Sequence, residues 1–445
     1  MKKQVNELEF GNIGKLLFAY AMPAIIATTA SSLYNVIDRI FIGQGVGPLA
    51  IAGLAITFPI MNLSTAFGTL VGAGASSMVS IRMGEHRTEE AIRFLCHALI
   101  LNILVGACFA LTVLTFLDPI LYAFGASQET IPYAREFMQI ILLGNINTHI
   151  LFGLNSIMRS SGYPVKAMVS VLLTVVCNVI LAPIFLFVLH WGIRGAAFAT
   201  VISQTIGMIW VLAHFCSRKS QVHFERGQFH LKKNIIKDIF SIGLSPFSIH
   251  VCSCLVAILM NQQLARFGGD MSIAAFGIIN SVLALITMII LGLAQGMQPI
   301  VGYNYGAKSR ERVFQTLRLT INVATMICII GFVLVMAFPH YIARAFSTDV
   351  SLNMLTASAM RKCAIMLPLV GMQMVCSFFF QSIGMAKTSI FLSLSRQIIL
   401  LIPFILILPI FFDLNGIWYA LPCADFCSTL VTVAVLRYKK NYILM

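Results

Sequence analysis

Long apolar runs alternate with short polar connections along nearly the whole chain. A helix needs about 20 apolar residues to cross the hydrocarbon layer. Twelve runs reach that length, at roughly 16–41, 50–75, 92–117, 137–158, 166–189, 195–215, 238–263, 273–299, 316–338, 357–381, 389–411 and 416–436. The pattern predicts an all-α polytopic membrane protein with twelve transmembrane helices. One connection is longer than the rest, the polar and basic stretch from Cys216 to Lys237. It divides the chain into an N-terminal six-helix lobe (1–215), an inter-lobe loop (216–237) and a C-terminal six-helix lobe (238–445).

The halves read as repeats. An offset of about 222 residues brings Pro23 onto Pro246 and Gly84 onto Gly306. Within two residues the same offset pairs Gly162 with Gly384, Pro183 with Pro403 and Gly195 with Gly416. The loops SIRMGEHR (80–87) and YNYGAKSR (303–310) agree in character. Two six-helix repeats in the same orientation imply a pseudo-two-fold axis along the membrane normal, a transporter architecture with a central cavity between lobes.

Composition agrees with this pattern. The chain is 59% hydrophobic and 10% charged, with mean hydropathy +0.90, against about 25% charged in a soluble domain. The net charge of +14 raises the question of a nucleic-acid partner. The Lys and Arg residues sit instead in short loops, on the side of Lys15, Arg82, Arg87, Arg159, Lys166, the 218–237 cluster, Lys308, Arg310, Lys387 and Arg437. The other side has Arg135, Arg194, Arg266, Arg344, Arg361 and Lys362. The positive-inside rule places both termini and the central loop in the cytoplasm, and no nucleic acid is expected. The eleven cysteines lie mostly in apolar segments and read as small buried residues. No cleavable signal peptide is expected, because the first apolar run is too long for one.

Ionisable groups inside a membrane are costly and need a reason. Thr28, Ser31, Asn35 and Asp38 share one face of the first helix, at spacings of three, four and three. A polar stripe ending in a carboxylate should face a cavity or a helix bundle. Arg39 points about 100° away, toward the outer interface. A buried carboxylate exchanges a proton, or holds Na⁺ if carbonyls and amides complete the shell. The plainer alternative puts Asp38 in the outer headgroup layer as a structural cap. On helix five, Ser170, Thr174, Asn178 and Ala182 share a face, and Asn178 is placed to bond Asp38. Asp425 on helix twelve has Gln204 as its repeat mate and reads as a structural polar position between helices. Asn261, at the Pro23/Pro246 offset, is the expected mate of Asp38.

The second half supplies Gln262, Asn280, Gln295, Gln298, Gln373, Gln381 and Arg396 as further candidates for the wall of a substrate cavity. Amides among Met and Phe suit a large adaptable pocket, although polar glue between helices explains any one of them as well. His149 and His250 lack a partner in sequence and read as packing residues. No hydrolase, zinc-protease or nucleotide-binding motif is present. An enzyme is therefore not expected, no metal or other cofactor is implied beyond a coupling ion, and transport would be secondary.

LYNVIDRIFIG (33–43), LAIAGLAITFPI (49–60), GAGASSMVSIRMGE (72–85), CNVILAPIF (177–185) and LAQGMQPIVGYNYGAK (293–308) together resemble the multidrug and toxic compound extrusion family, MATE, in its bacterial MepA-like branch. The resemblance implies two six-helix lobes, V-shaped when open outward, and alternating access in a bacterial plasma (inner) membrane. It implies export of organic, often cationic, compounds against H⁺ or Na⁺, by a monomer whose partners are small substrates and membrane lipids. Asp38 matches the family's cation-coupling acid and Asn178 its neighbour. The family pattern N-x-x-x-D-P reads here Asn178 to Ala182-Pro183, so a second acid is missing, which favours protons over Na⁺. A lipid-linked precursor flippase of the same superfamily is the alternative, but a pyrophosphate cavity would have only Arg39 and Arg396 to draw on.

Overall fold

The computed structural model describes residues 8–444 apart from Lys219 and Thr348, and excludes the side chains of Asn35, Val36, Pro48, Asp270 and 440–444. Lys2 and Lys3, which precede Lys15 on the basic side, and the side chain of Asn35 in the polar stripe, lie outside the described residues.

Nine helices are long and apolar enough to cross a membrane, and two further crossings are helix pairs bent by 55° and 52°. The last of the nine, Ala386–Lys439, is broken at Asp413, where φ is 49°, and so makes two crossings. The total among the described residues is twelve. In chain order they are α1 Ile13–Gly45, α2 Pro48–Gly84, α3 Thr88–Thr115, α4 Ile131–Leu143 with Asn145–Ser160, α5 Pro164–Val188 and α6 Gly192–Cys216. The second lobe has α7 Lys233–Gly269, α8 Met271–Gly306, α9 Arg310–Ala337, α10 Val350–Ala364 with Leu367–Ser382, α11 386–412 and α12 414–444. The bend in α4 falls at Gly144 and that in α10 just before Pro368, where proline removes a backbone donor. Asn12 caps α1 by accepting from the Lys15 N–H at 3.2 Å.

The backbone repeats as the sequence does. Left-handed residues occur in pairs: Gly47 and Gly269, His86 and Lys308, Gly162 and Gly384, each 222 apart, and His190 and Asp413, 223 apart. Burial sharpens the register. Buried positions 20, 21, 23, 24, 38 and 42 of α1 recur at 242, 243, 245, 246, 260 and 264 of α7. The mate of Asp38 is therefore Met260, not Asn261. The two prolines that set the expected offset stand one residue out of step, and packing rather than proline fixes which face turns inward.

The apolar cores show how the lobes meet. One cluster joins both lobes at the end that carries the termini, combining Leu17, Val71, Val79 and Ile157 with Ile239, Ile300, Tyr303 and Phe379. The other two stay within single lobes at the far end, one around Ile42, Phe137 and Leu186, the other around Met260, Val335 and Trp418. The molecule is thus a V, closed on the terminal side and open on the other. Glycine makes the closure tight. A Cβ on Gly84 would lie 1.9 Å from the Tyr303 carbonyl oxygen, and one on Gly306 would lie 2.1 Å from that of Ile81. The same holds where Gly243 meets Leu70 and Gly74 meets Ile239, at 1.7 and 2.0 Å. Main chain rests on main chain across this seam.

Candidate functional site

Asp38 lies where α1 packs against α5 and α6. It is 8% exposed, and its Oδ1 is buried with no hydrogen-bond partner. Tyr34 precedes it by one helical turn on the same face. Asn178 of α5 donates through Nδ2 to the Thr200 Oγ1 of α6 at 3.1 Å and to the Tyr34 hydroxyl at 3.4 Å. Tyr34 and Thr200 hydroxyls are themselves 3.2 Å apart. Asn178 was expected to bond Asp38; its amide instead serves the two hydroxyls. The sequence pattern points to neither Tyr34 nor Thr200. Tyr34 carried a usable signal, its i–4 spacing from Asp38, whereas Thr200 carried none. Ala182, one turn beyond Asn178 on α5, is fully buried and supplies no second carboxylate to the cluster.

Arg39 projects away from Asp38, as helix geometry requires. It is exposed, with its guanidinium carbon 5.7 Å from the centre of the Phe58 ring on α2.

The other candidates separate into three groups. Thr28 and Gln298 belong to the seam between lobes: Thr28 donates to the Met288 carbonyl of α8 at 3.1 Å, and Gln298 donates to Ser76 and Ser77 of α2 at 3.0 and 2.8 Å. Gln373 and Gln381 are buried within the C-terminal lobe, at 3% and 2% exposure, each with one amide atom unpartnered. Gln298, Gln373 and Gln381 therefore do not line the open cleft in this state, because helix packing covers them. Asn261, Gln262 and Asn280 are exposed, and Gln295 and Ser31 are half-buried. Asn261 shares the face of Cys254, two turns earlier, which accepts from Asn62 of α2 at 3.0 Å. Asn261 therefore continues, toward the open side, the face of α7 that meets the other lobe.

At the apex of the V, His250 of α7 is 3.3 Å from Asn62 of α2, and Phe67 and Phe247 stack edge-on at 5.0 Å. His149 is enclosed in the first lobe against Gly68 and Gly106, with one ring nitrogen 3.1 Å from Ser64. In the second lobe Arg396 Nε donates to Asp425 Oδ1 at 2.7 Å, tying α11 to α12. The partners are 29 residues apart on different helices, so neither charge announced the other.

The arrangement provides a buried carboxylate without a tethered cation in one lobe, a self-neutralised carboxylate in the other, and a cleft between them. Among known proteins, the chain is similar to the multidrug export protein MepA of Staphylococcus haemolyticus, 26% identical over 439 residues that span 99% of this chain and 96% of that protein. It superposes with a TM-score of 0.90 and 38% identity on a solved complex of the MATE multidrug transporter DinF-BH, over 97% of each chain. A MOP superfamily transporter from Pyrococcus furiosus, whose structure is described as having a binding pocket of reverse polarity, superposes with a TM-score of 0.94 at 26% identity over 100% of this chain and 99% of its own. The MatE family model matches residues 23–184 and 246–407, one match in each lobe at the places the repeat predicts. The chain is a multi-pass membrane protein that belongs to the MatE family.

Proposed function

We propose that the protein is a secondary active multidrug exporter, exchanging organic, often cationic, compounds for H⁺ or Na⁺ by alternating access, with Asp38 as the coupling residue. The observation that carries this reading is the Asp38 carboxylate: buried, with an unpartnered oxygen, beside a hydroxyl–amide network that joins α1, α5 and α6. A charge in such a place requires a cation close by. A proton and a Na⁺ ion both qualify. A single carboxylate, with alanine at position 182, makes a poor shell for Na⁺ and favours the proton.

Coupling follows from what else α1 does. Its first half forms the seam through Ala21, Ile25 and Thr28 against α8, and its second half holds Asp38. A cation that changes the bonding around Asp38 displaces the helix that also closes the terminal side. Ion and substrate then favour different states of one two-state element. The names of the relatives support a multidrug cargo, and the basic loops support a cytoplasmic terminal side, so that the V opens outward from a bacterial plasma membrane. Partners are small organic substrates and lipids, and the working unit is a monomer. The task is transport rather than bond-making chemistry. A flippase for pyrophosphate-linked lipids would need free cations in the cavity; Arg396 is engaged with Asp425 and Arg39 with Phe58, which favours the exporter.

The test is dye efflux from vesicles with pH and Na⁺ gradients imposed separately. Asp38→Asn is expected to lose gradient-driven efflux by about 5- to 150-fold, the span of ordinary coupling free energies. Full gradient-driven efflux by this variant would refute the coupling role. Response to one gradient alone identifies the ion.

A further inference from the structure

The two acidic residues buried among the described residues fall one in each lobe, Asp38 and Asp425. The repeat shows what became of the Asp38 cluster in the second lobe. Tyr34 and Asp38 correspond, at 222 residues, to Val256 and Met260. At 223 Asn178 corresponds to Leu401, and at 221 Thr200 corresponds to Leu421. All four counterparts are apolar and belong to the core of the second lobe. The second lobe's carboxylate stands about one turn nearer the terminal side, at the counterpart of Gln204, four residues beyond Thr200.

Helix α11 is built to meet it. Its segment Ser395–Leu401 is π-helical, whereas α5 is α-helical from Pro164 to Pro183 and turns π-helical only beyond, at Ile184–Val188. A π turn accommodates an extra residue and marks functional sites. The register steps accordingly: buried 167, 170 and 171 pair with 389, 392 and 393 at 222, while buried 178 and 182 pair with 401 and 405 at 223. The extra residue of the second repeat thus lies in the turn that carries Arg396. The guanidinium it presents meets Asp425 at 2.7 Å, with side-chain exposures of 22% and 7%.

We infer that Arg396 is a tethered cation: beside the buried carboxylate of the C-terminal lobe its guanidinium fills the place that an exchangeable H⁺ or Na⁺ takes in the N-terminal lobe, leaving one lobe to couple. Arginine keeps its charge under all physiological conditions, and its stem prevents its departure, so Asp425 is neutralised at every step of the cycle. Arg39 does not do this for Asp38, because it faces Phe58 instead. Among the described residues, the free, buried thiols of Cys328 on α9 and Cys363 on α10 also lie within electrostatic reach of Asp425. The inference takes from the proposed function only the notion that Asp38 exchanges a cation; the assignment at Asp425 stands or falls separately.

The experiment measures the thermal midpoint of the full-length protein in detergent against Na⁺ concentration and pH, on an Asp38→Asn background. With Arg396 present, the midpoint is expected to show no Asp425-dependent response. R396Q is expected to gain one, rising by at least about 2 °C on adding Na⁺ or on acidification. The double variant R396Q/D425N should lose that gain, which removes the contribution of every other titrating group. R396K should behave as the parent, a rescue that packing alone does not provide. A flat R396Q profile, or an equal response in the double variant, overturns the inference. Should R396Q fold only with added Na⁺ or acid, the inference is supported; failure to fold under either is against it. Gradient-driven efflux surviving in Asp38→Asn refutes the coupling role and leaves the Asp425 readout unaffected.

Discussion

At the scale of single residues, the site depends on who bonds to whom around a buried charge. Tyr34 is the hinge of that network, since its hydroxyl meets both Asn178 and Thr200. Tyr34→Phe removes one hydroxyl and keeps the ring, at a cost of about 1 kcal/mol. The half-saturating cation concentration for efflux is expected to move roughly fivefold, with the substrate affinity in the absence of a gradient unchanged. Vesicle efflux titrated against the driving ion checks this, and an unmoved titration would remove Tyr34 from the site. The sequence carried part of this cluster. Asp38 and Asn178 stood out because polar groups in long apolar runs are rare. Thr200 did not, because a threonine inside a helix is usually satisfied by its own backbone, and only the fold reveals that its hydroxyl is shared with two other helices. Asn35 keeps its place in the stripe by sequence spacing alone, since its side chain lies outside the described residues.

Among elements, the number and order of the spans were legible, but several helices run well past the apolar runs, α2 to Gly84 and α8 to Gly306, because hydropathy reports the stretch inside lipid and not the helical ends beyond it. The register between repeats was not legible. Proline and glycine matches scatter by two residues, and a one-residue step inside α11 becomes visible only as a π turn with its buried positions displaced. The seam is the element-scale feature with the plainest consequence. Alanine at Gly84 or Gly306 puts a methyl group against a backbone carbonyl, which cannot rotate away. Overpacking of this kind costs about 1–3 kcal/mol, a shift of roughly 5- to 150-fold away from the state closed at the terminal side. Cross-linking of cysteines introduced in pairs across the seam should fall by a comparable factor in Gly84→Ala, and the double variant Gly84→Ala with Gly306→Ala should fall further. Retained cross-linking would show that the seam has slack to take up a methyl group.

For the whole molecule, the V and its repeat predict a rocking motion of two lobes about the apex formed by Asn62, His250, Phe67 and Phe247. Spin labels at Leu49 and Met271 sit at equivalent, exposed positions at the open ends of α2 and α8. Their separation should shorten when the open side closes, on addition of the cation or the substrate that favours that state, while labels on the terminal side move apart. A distance distribution indifferent to both would argue against alternating access in this chain. The two-lobe architecture was legible from the repeat alone. The state of the V was not, because alternating access asks one sequence to satisfy two packings.

The seam has a further implication. Where lobes close by interlocking side chains, every opening must extract knobs from holes and every variant at the contact alters the fit. Here the closest approaches are glycine against carbonyl, at Gly74, Gly84, Gly243 and Gly306, with apolar side chains of both lobes packed around them. Such contacts act as a bearing that seals by proximity, so that what opening must release is a short set of side-chain bonds, Gln298 to Ser76 and Ser77 and Thr28 to the Met288 carbonyl, and the choice between the two positions falls to whatever is bound elsewhere.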